Sequence, residues 1–506
     1  GMSYGPCENQ VKPAPEVCST PEDEDCNKLI FDDTEAGCVC EPKKVADCMT
    51  TLVGLCKPGK KTCLDTGKDF GECKPNIPPT FDDCFSSADE DCDGTPIGCL
   101  GGSIVAAAPG TTTGDDSVFA VASDADGNIF LGGVSGSSEG IEYFLHSGSA
   151  DVTKLDKSGT QAWKKSFPAT GSTSYSVVRG VTVDKMGDVI VVGEYRGAIS
   201  MNGVSLTSMS NTSDVFVIKL DTAGATKWSK TFGGAGDQVG IGISADAVGD
   251  VFITGTMGGA IDFGAGTLNA DGVDAFVAKL DGATGAPKWG NIYGDKQTQI
   301  GWDVVATPDG NVVVTGQFDG NIDFGGGNIG NGGNIDIYLT KLDGNDGSQK
   351  WAKRFGEGED QVAYGIAADA DGNIVITGSM QGKIDFGGGP LDIGGGKPPD
   401  AFVARFAPDG AYLWAKLFGD SANSQVGRDV AVDAAGNVLV TGHFTGALQI
   451  GSTVLVNPMG VGGSSDVFVA KLKASDGSLG WARKFGDTST QLPRAITDDP
   501  LGNVIV

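Results

Sequence analysis

The densest chemistry in this 506-residue sequence is an acidic run near its start. Asp89-Glu90-Asp91-Cys92-Asp93-Gly94 sets carboxylates at alternate positions ahead of a glycine. Alternate carboxylates converge on one hard cation, and glycine permits the sharp turn around it. Calcium at Asp89, Asp91 and Asp93 is one expectation; a solvated acidic turn beside a disulfide is the other. An earlier copy offers Asp23, Asp25 and Asn27 but has Lys28 where the glycine stands, so it should hold a cation more weakly or not at all. Leu100 occupies the twelfth position of the second copy, so neither is a complete EF-hand.

Other catalytic chemistry has little to work with. The chain has two histidines, His146 and His443, with no His/Cys metal spacing. No glycine-rich stretch matches a phosphate loop. Carboxylate-only hydrolysis or lyase chemistry stays open, because acids are plentiful. The net charge is −29, with 20 acids and 9 Lys/Arg in residues 1–100 and 45 acids and 27 Lys/Arg beyond. Neither part has the basic face that nucleic acid or an anionic membrane requires. No run of 18 apolar residues is present, so membrane insertion is not expected.

All 12 cysteines lie in the first fifth of the chain: Cys7, Cys18, Cys26, Cys38, Cys40, Cys48, Cys56, Cys63, Cys73, Cys84, Cys92 and Cys99. An even number crowded into a short polar segment reads as a disulfide framework, and such frameworks persist in oxidising compartments. The expected location is therefore extracellular or on a bacterial cell surface. Gly1-Met2-Ser3-Tyr4 opens directly on polar sequence, so an export signal is expected to have been removed or to lie outside this stretch. Residues 1–99 are read as a disulfide-rich module with little regular secondary structure. It contains two copies of Cys-x10-Cys-x7-Cys, Cys7/Cys18/Cys26 and Cys73/Cys84/Cys92. The cysteine pairing is open.

Residues 100–506 repeat. Asp-x-x-Gly-Asn/Asp recurs around Gly127, Gly187, Gly249, Gly310, Gly372, Gly436 and Gly502, at spacings of 60, 62, 61, 62, 64 and 66, with Thr307 replacing the Asp once. Trp163, Trp228, Trp289, Trp351, Trp414 and Trp481 recur with it. Each unit of about 62 residues contains four strand-like runs, a to d, with a tight a–b turn such as Pro308-Asp309-Gly310-Asn311. Four antiparallel strands repeated radially make a β-propeller blade. Strand a is rich in small residues, as an innermost strand must be, and strand d carries the Trp expected to fill the wider outer gaps. The expected fold is all-β, a seven-bladed β-propeller of four-stranded antiparallel blades closed by strand sharing between the chain ends. The last blade would combine 102–108 with 493–506. It lacks one strand, which the natural chain is expected to supply after Val506.

On the face carrying the d–a and b–c connections, two polar sets recur. Gln238, Gln299, Gln361, Gln425 and Gln491 occupy one d–a position, and Asp214, Asp274, Asp336, Asp400 and Asp466 open strand c. They would either form a polar ring at the channel mouth, holding a cation or sugar, or cap backbone groups of their own loops. Identical use in every blade favours the second role.

The text Val430-Ala-Val-Asp-Ala-Ala-Gly-Asn-Val-Leu-Val-Thr-Gly442 and Gly320-Asn-Ile-Asp-Phe-Gly-Gly-Gly327 resembles the SBBP family of bacterial seven-bladed propeller repeats over about 400 residues. Blade one departs from it, since 134–150 lacks Ile-Asp-Phe-Gly. The Asp-Glu-Asp-Cys-Asp-Gly text resembles a metal-binding motif of exported bacterial proteins. The family resemblance implies architecture; a fold of this kind hosts many functions. The leading expectation is an exported, non-catalytic binding, adhesion or scaffold protein with a glycan or protein ligand on the loop face. One alternative is an extracellular polysaccharide-active enzyme, which needs paired carboxylates in a deep acidic pocket. The other is a structural component of an extracellular layer or filament, built by self-association.

Overall fold

The computed structural model describes residues 45–49, 58–62, 73–75, 115–137, 147–201, 204–394, 398–419, 422–457, 464–486 and 489–506. The chain divides into two units, Gly1–Ser103 and Ile104–Val506. In the first, Val45–Met49, Pro58–Thr62 and Lys74–Pro75 form a three-stranded antiparallel sheet. Lys60 pairs with Asp47 across it, and Cys73 is disulfide-bonded. Asp23, Asp25, Asn27, Asp89, Asp91 and Asp93 lie outside the described residues, as does the expected strand 102–108. Of the other cysteines, only Cys48 falls in a described strand.

The second unit is a β-propeller. Its strands a are Asp115–Ser123, Ala169–Val183, Gln238–Ala245, Gln299–Ala306, Gln361–Ala368 and Gln425–Val432. Each opens an antiparallel sheet in the order a-b-c-d, and the second blade adds the short strand Val204–Thr207 beside its strand b. The structure corrects the expected count: six blades are built, not seven. The final unit contributes one two-stranded pair, Thr497–Asp498 with Val504–Ile505, and among the described residues no third strand joins it. That segment nonetheless bridges the last blade to the first. Ile496 N–H donates to Asp429 Oδ2 at 2.8 Å, and Ser123 Oγ donates to the Asp498 carbonyl at 2.6 Å.

The repeated sequence anchors have direct physical roles. In the a–b turn, Asp246 Oδ1 accepts from Val248 N and Asp250 N at 3.0 and 2.8 Å, closing the hairpin. The buried Lys279 of strand c neutralises this turn, with Nζ 3.1 Å from Asp246 and 3.2 Å from Asp250. Blade four has Thr307 at the first Asp position, and there Lys341 pairs with Asp309 at 2.8 Å instead.

The Trp residues join blades. Trp228 Nε1 donates to the Gly282 carbonyl and Trp289 Nε1 to the Gly344 carbonyl, each in the c–d turn of the next blade, at 3.1 and 3.2 Å. Gly285, at φ +69°, passes so close beneath Trp228 that a Cβ there would lie 2.6 Å from Cε3. The Ile-Asp-Phe-Gly segments form small hairpins above blades four and five, Asn321–Ile322 with Ile329–Gly330 and Gly382–Ile384 with Leu391–Gly394. Their Phe rings are buried wedges. Phe386 packs between Phe355 of the preceding blade and Phe402 of its own, with centroids 5.1 and 5.0 Å away.

Candidate functional site: the central channel

Strand a of every blade carries a β-bulge. The register skips one residue between Val118 and Ala120, Val178 and Gly180, Gly240 and Gly242, Gly301 and Asp303, Ala363 and Gly365, and Gly427 and Asp429. An extra residue in one strand re-aims its side chain. The skipped residues, Phe119, Arg179, Ile241, Trp302, Tyr364 and Arg428, all line a central cavity of about 370 Å³. Arg494, three residues after Gln491, completes the ring from the final segment.

This ring is cross-braced. Phe119 lies between two guanidiniums, with Arg179 Cζ 5.0 Å and Arg494 Cζ 5.3 Å from its centroid. Arg428 Cζ sits 4.8 Å over Tyr364, whose ring meets Trp302 edge-on at 5.4 Å. Such cation–π and edge contacts hold each side chain in one orientation. Strand b supplies a second tier. Glu194 accepts from Arg179 Nη2 at 2.7 Å and from Nε at 3.1 Å, and Gln317 Oε1 accepts from Trp302 Nε1 at 2.8 Å. His443 stands at the same position in blade six. Its Nδ1 has no hydrogen-bond partner among the described residues. Burial, helped by Arg428 and Arg494, pushes its pKa down to about 3, so the imidazole is neutral at physiological pH.

One residue further along, Asp303 and Asp429 enter the wall. Asp303 Oδ2 accepts from Ile366 N of the next blade at 3.0 Å and Oδ1 from Val304 N at 2.8 Å. Asp429 makes the matching bonds from Ile496 N and Val430 N, both at 2.8 Å. Burial raises the pKa of both, and repulsion from Asp429 adds to the effect on Asp303. Each carboxylate therefore staples adjacent innermost strands.

The Gln and Asp residues that recur across five units do not line this cavity. Gln238, Gln299, Gln361 and Gln425 are fully buried. Gln238 Nε2 donates to the carbonyls of Ala235, Gly258 and Ala260 at 2.9–3.1 Å, tying the d–a loop to the b–c segment. Gln361 and Gln425 donate to Gln381 and Ala447 carbonyls in the same way, and Gln491 follows the same backbone path, its N–H donating to Ser465. Asp214, Asp274, Asp336, Asp400 and Asp466 are buried beside them. A Cβ on Gly294 would lie 2.4 Å from both Asp274 Oδ1 and Gln299 Oε1, so the three residues form one tight knot. Burial raises the Asp214 pKa to about 7 and that of Asp274 to about 6. Asp336 and Asp466 keep a cation, Arg354 at 2.9 Å and Lys484 at 3.0 Å.

The ring itself was legible in principle. Counted three residues from each Gln, one position changes type from Ile241 to Trp302, Tyr364, Arg428 and Arg494, while its neighbours stay small or repeat. Variation inside a strict repeat marks a residue the framework does not dictate.

A propeller with a polar, aromatic-walled channel belongs to a class of binding scaffolds on which enzymes are also built. No family model matches the chain, so the SBBP resemblance rests on its motifs alone. An uncharacterized WD repeat-containing protein, L264 of Acanthamoeba polyphaga mimivirus, is 24% identical over 393 residues, 62% of this chain. The chain spans 27% of that relative's length. Among solved structures, quinohemoprotein alcohol dehydrogenase from Comamonas testosteroni aligns over 77% of this chain and 63% of its own, at 13% identity and TM-score 0.39. A protein of unknown function from Dyadobacter fermentans covers 65% of this chain and 91% of its own, at 12% and 0.39. Likenesses this loose carry no argument about activity.

Proposed function

We propose that the chain is an exported, non-catalytic binding or adhesion protein that takes a glycan or protein ligand at the loop-face mouth of its propeller. The observation that carries this reading is the division of labour among its polar residues. The Gln and Asp that recur across five units close turns and knots, whereas Arg179, Trp302, Tyr364, Arg428 and Arg494, at a position that differs from unit to unit, face the channel. The cysteine-rich first unit supports export, because such a density of thiols is expected where disulfides persist. Calcium at Asp89, Asp91 and Asp93 belongs to the same reading, with the first unit as a spacer. Glycan-array binding with and without EDTA tests it. A restricted set of bound glycans is expected, and chelation should matter only if calcium shapes the chain. Absence of binding to every glycan and to extracellular-matrix proteins would remove the reading.

A second reading, a polysaccharide-active enzyme, is favoured by one observation. Asp303 and Asp429 are a mutually interacting carboxyl pair in the channel wall with raised pKa values. Against it, their oxygens already accept backbone N–H groups. Release of reducing ends from acidic or neutral polysaccharides, lost in Asp303→Asn and Asp429→Asn, would establish the enzyme instead.

A further inference from the structure

We propose that the turn face of the propeller, opposite the loop face, docks a cationic protein segment that carries apolar side chains. The surface is built from the tips of the a–b turns and stands independently of the ligand reading above.

The argument starts from what the fold needs at a turn tip. In the Asp-x-x-Gly turns the first Asp accepts from the backbone N–H of the third residue. The distance is 3.0 Å for Asp126, 2.8 Å for Met186, 3.0 Å for Val248 and 2.9 Å for Leu501. The framework uses that N–H and leaves the side chain to solvent. Solvated turn tips favour Asp, Asn, Ser or Gly, and Asp126, Asp309 and Asp371 follow that rule. Met186, Val248 and Leu501 break it, with exposures of 70%, 73% and 69%. By the same logic as in the channel, an apolar tip is a choice the repeat does not dictate.

These tips are neighbours. The innermost strands of the final segment and of blades one, two and three pack side by side around the channel, so Leu501, Asp126, Met186 and Val248 follow one another along an arc. Ser123 holds the final segment to blade one through the Asp498 carbonyl. Lys185 Nζ donates to the Ala247 carbonyl at 2.8 Å and ties the Met186 turn to the Val248 turn. Adjacent exposed apolar side chains with a polar surround mark a contact surface.

Charge selects the partner. The a–b and c–d turns hold 18 acids and three cations, Lys157, Lys185 and Lys473. Six cations of strand c, such as Lys279 and Arg405, answer acids of the a–b turns. With Lys227, Lys288 and Lys350 of strand d also counted, the face keeps an excess of six acids. Hydrogen bonds from Ser158, Ser348 and Ser478 hold the exposed Asp156, Asp346 and Asp476 below the usual carboxylate range, so this charge persists well into acid. A second copy of the chain or an anionic membrane is repelled by such a face. A segment with Lys or Arg flanking Leu or Phe answers both its features.

Fluorescence anisotropy on the full chain tests the proposal with three labelled peptides of equal length: an amphipathic one of Leu and Lys, a Ser and Lys peptide of the same charge, and a Leu and Glu counterpart. The Leu and Lys peptide should bind at least tenfold more tightly than either control, and more weakly as salt is raised. Met186→Ser, Val248→Ser and Leu501→Ser together should weaken it at least tenfold, and Asp126→Lys with Asp371→Lys at least fivefold. Tm should stay within a few degrees, because the fold uses only the N–H at these tips. Val454→Ser with Val456→Ser, exposed on the hairpin above blade six, should change nothing. No binding, equal binding of the Ser and Lys peptide, or binding unmoved by the turn-tip substitutions overturns the proposal. So does pelleting with phosphatidylcholine vesicles that the serine substitutions abolish, which would make the face a membrane contact. A dimer in sedimentation that those substitutions dissolve would make it a self-interface and overturn it equally. A blank glycan array leaves this proposal standing and removes only the ligand reading.

Discussion

Trp228 Nε1 donates to the carbonyl of Gly282, 3.1 Å away in the next blade. The same indole-to-turn bond links Trp163 with Thr222, Trp351 with Pro408 and Trp414 with Ala474. One side chain thus fills the gap between two blades and satisfies a carbonyl of the second. Trp289→Ala is expected to cost about 3–5 kcal/mol, the range for truncating a buried aromatic. Trp289→Phe, which keeps the ring but loses the bond to Gly344, should cost clearly less. Urea denaturation of both variants measures the difference, and equal losses would refute the hydrogen-bonded wedge.

The turn beneath each indole has no room for a side chain. Gly285→Ala would place its Cβ 2.6 Å from Trp228, whereas nothing lies within 4 Å of Gly249, which has a similar left-handed backbone. Gly249→Ala should therefore cost about 1 kcal/mol from backbone strain alone. Gly285→Ala should cost at least twice as much in the same assay.

The lysine clamps are unequal. Lys279 answers two buried carboxylates, Asp246 and Asp250. Lys341 answers Asp309, whose side chain is 51% exposed. Lys279→Met leaves the buried Asp246 without its cation, while Asp250 keeps Lys288 at 2.6 Å, and is expected to cost about 3 kcal/mol. Lys341→Met strands a carboxylate that water can reach, and should cost about 1 kcal/mol. Reversal of that order in denaturation midpoints would show that burial does not set the value of the clamp.

Stability should also depend on pH through the buried aspartates. Burial holds Asp214 near 7 and Asp274 near 6. In the unfolded chain such carboxyls titrate near 4. Between those values the folded state keeps protons that the unfolded state has lost, so this contribution is present in full below about pH 4 and fades as pH rises to about 7. Asp214→Asn, which cannot ionise, should gain Tm relative to the parent progressively across that window. A constant difference in Tm from pH 4.5 to 7.5 would show that Asp214 titrates normally in the fold.

The sequence by itself determined the repeat, the four strands of each unit and the Trp wedges. These follow from local patterns: alternation along a strand, turn residues at fixed offsets and a bulky ring at one position in every unit. Tertiary structure alone decided the number of completed blades, because blade completion depends on whether a further strand pairs beyond Val504–Ile505. It also decided which residues face the lumen. Side chains alternate with a period of two along a strand, and counting by twos predicts a face only while the ladder is regular. The bulge at Ile241, Trp302, Tyr364 and Arg428 inserts one residue and breaks that count. Gln238 and Gln299, at the start of their strands, are fully buried, whereas Arg428 and Tyr364, at the bulge, line the channel.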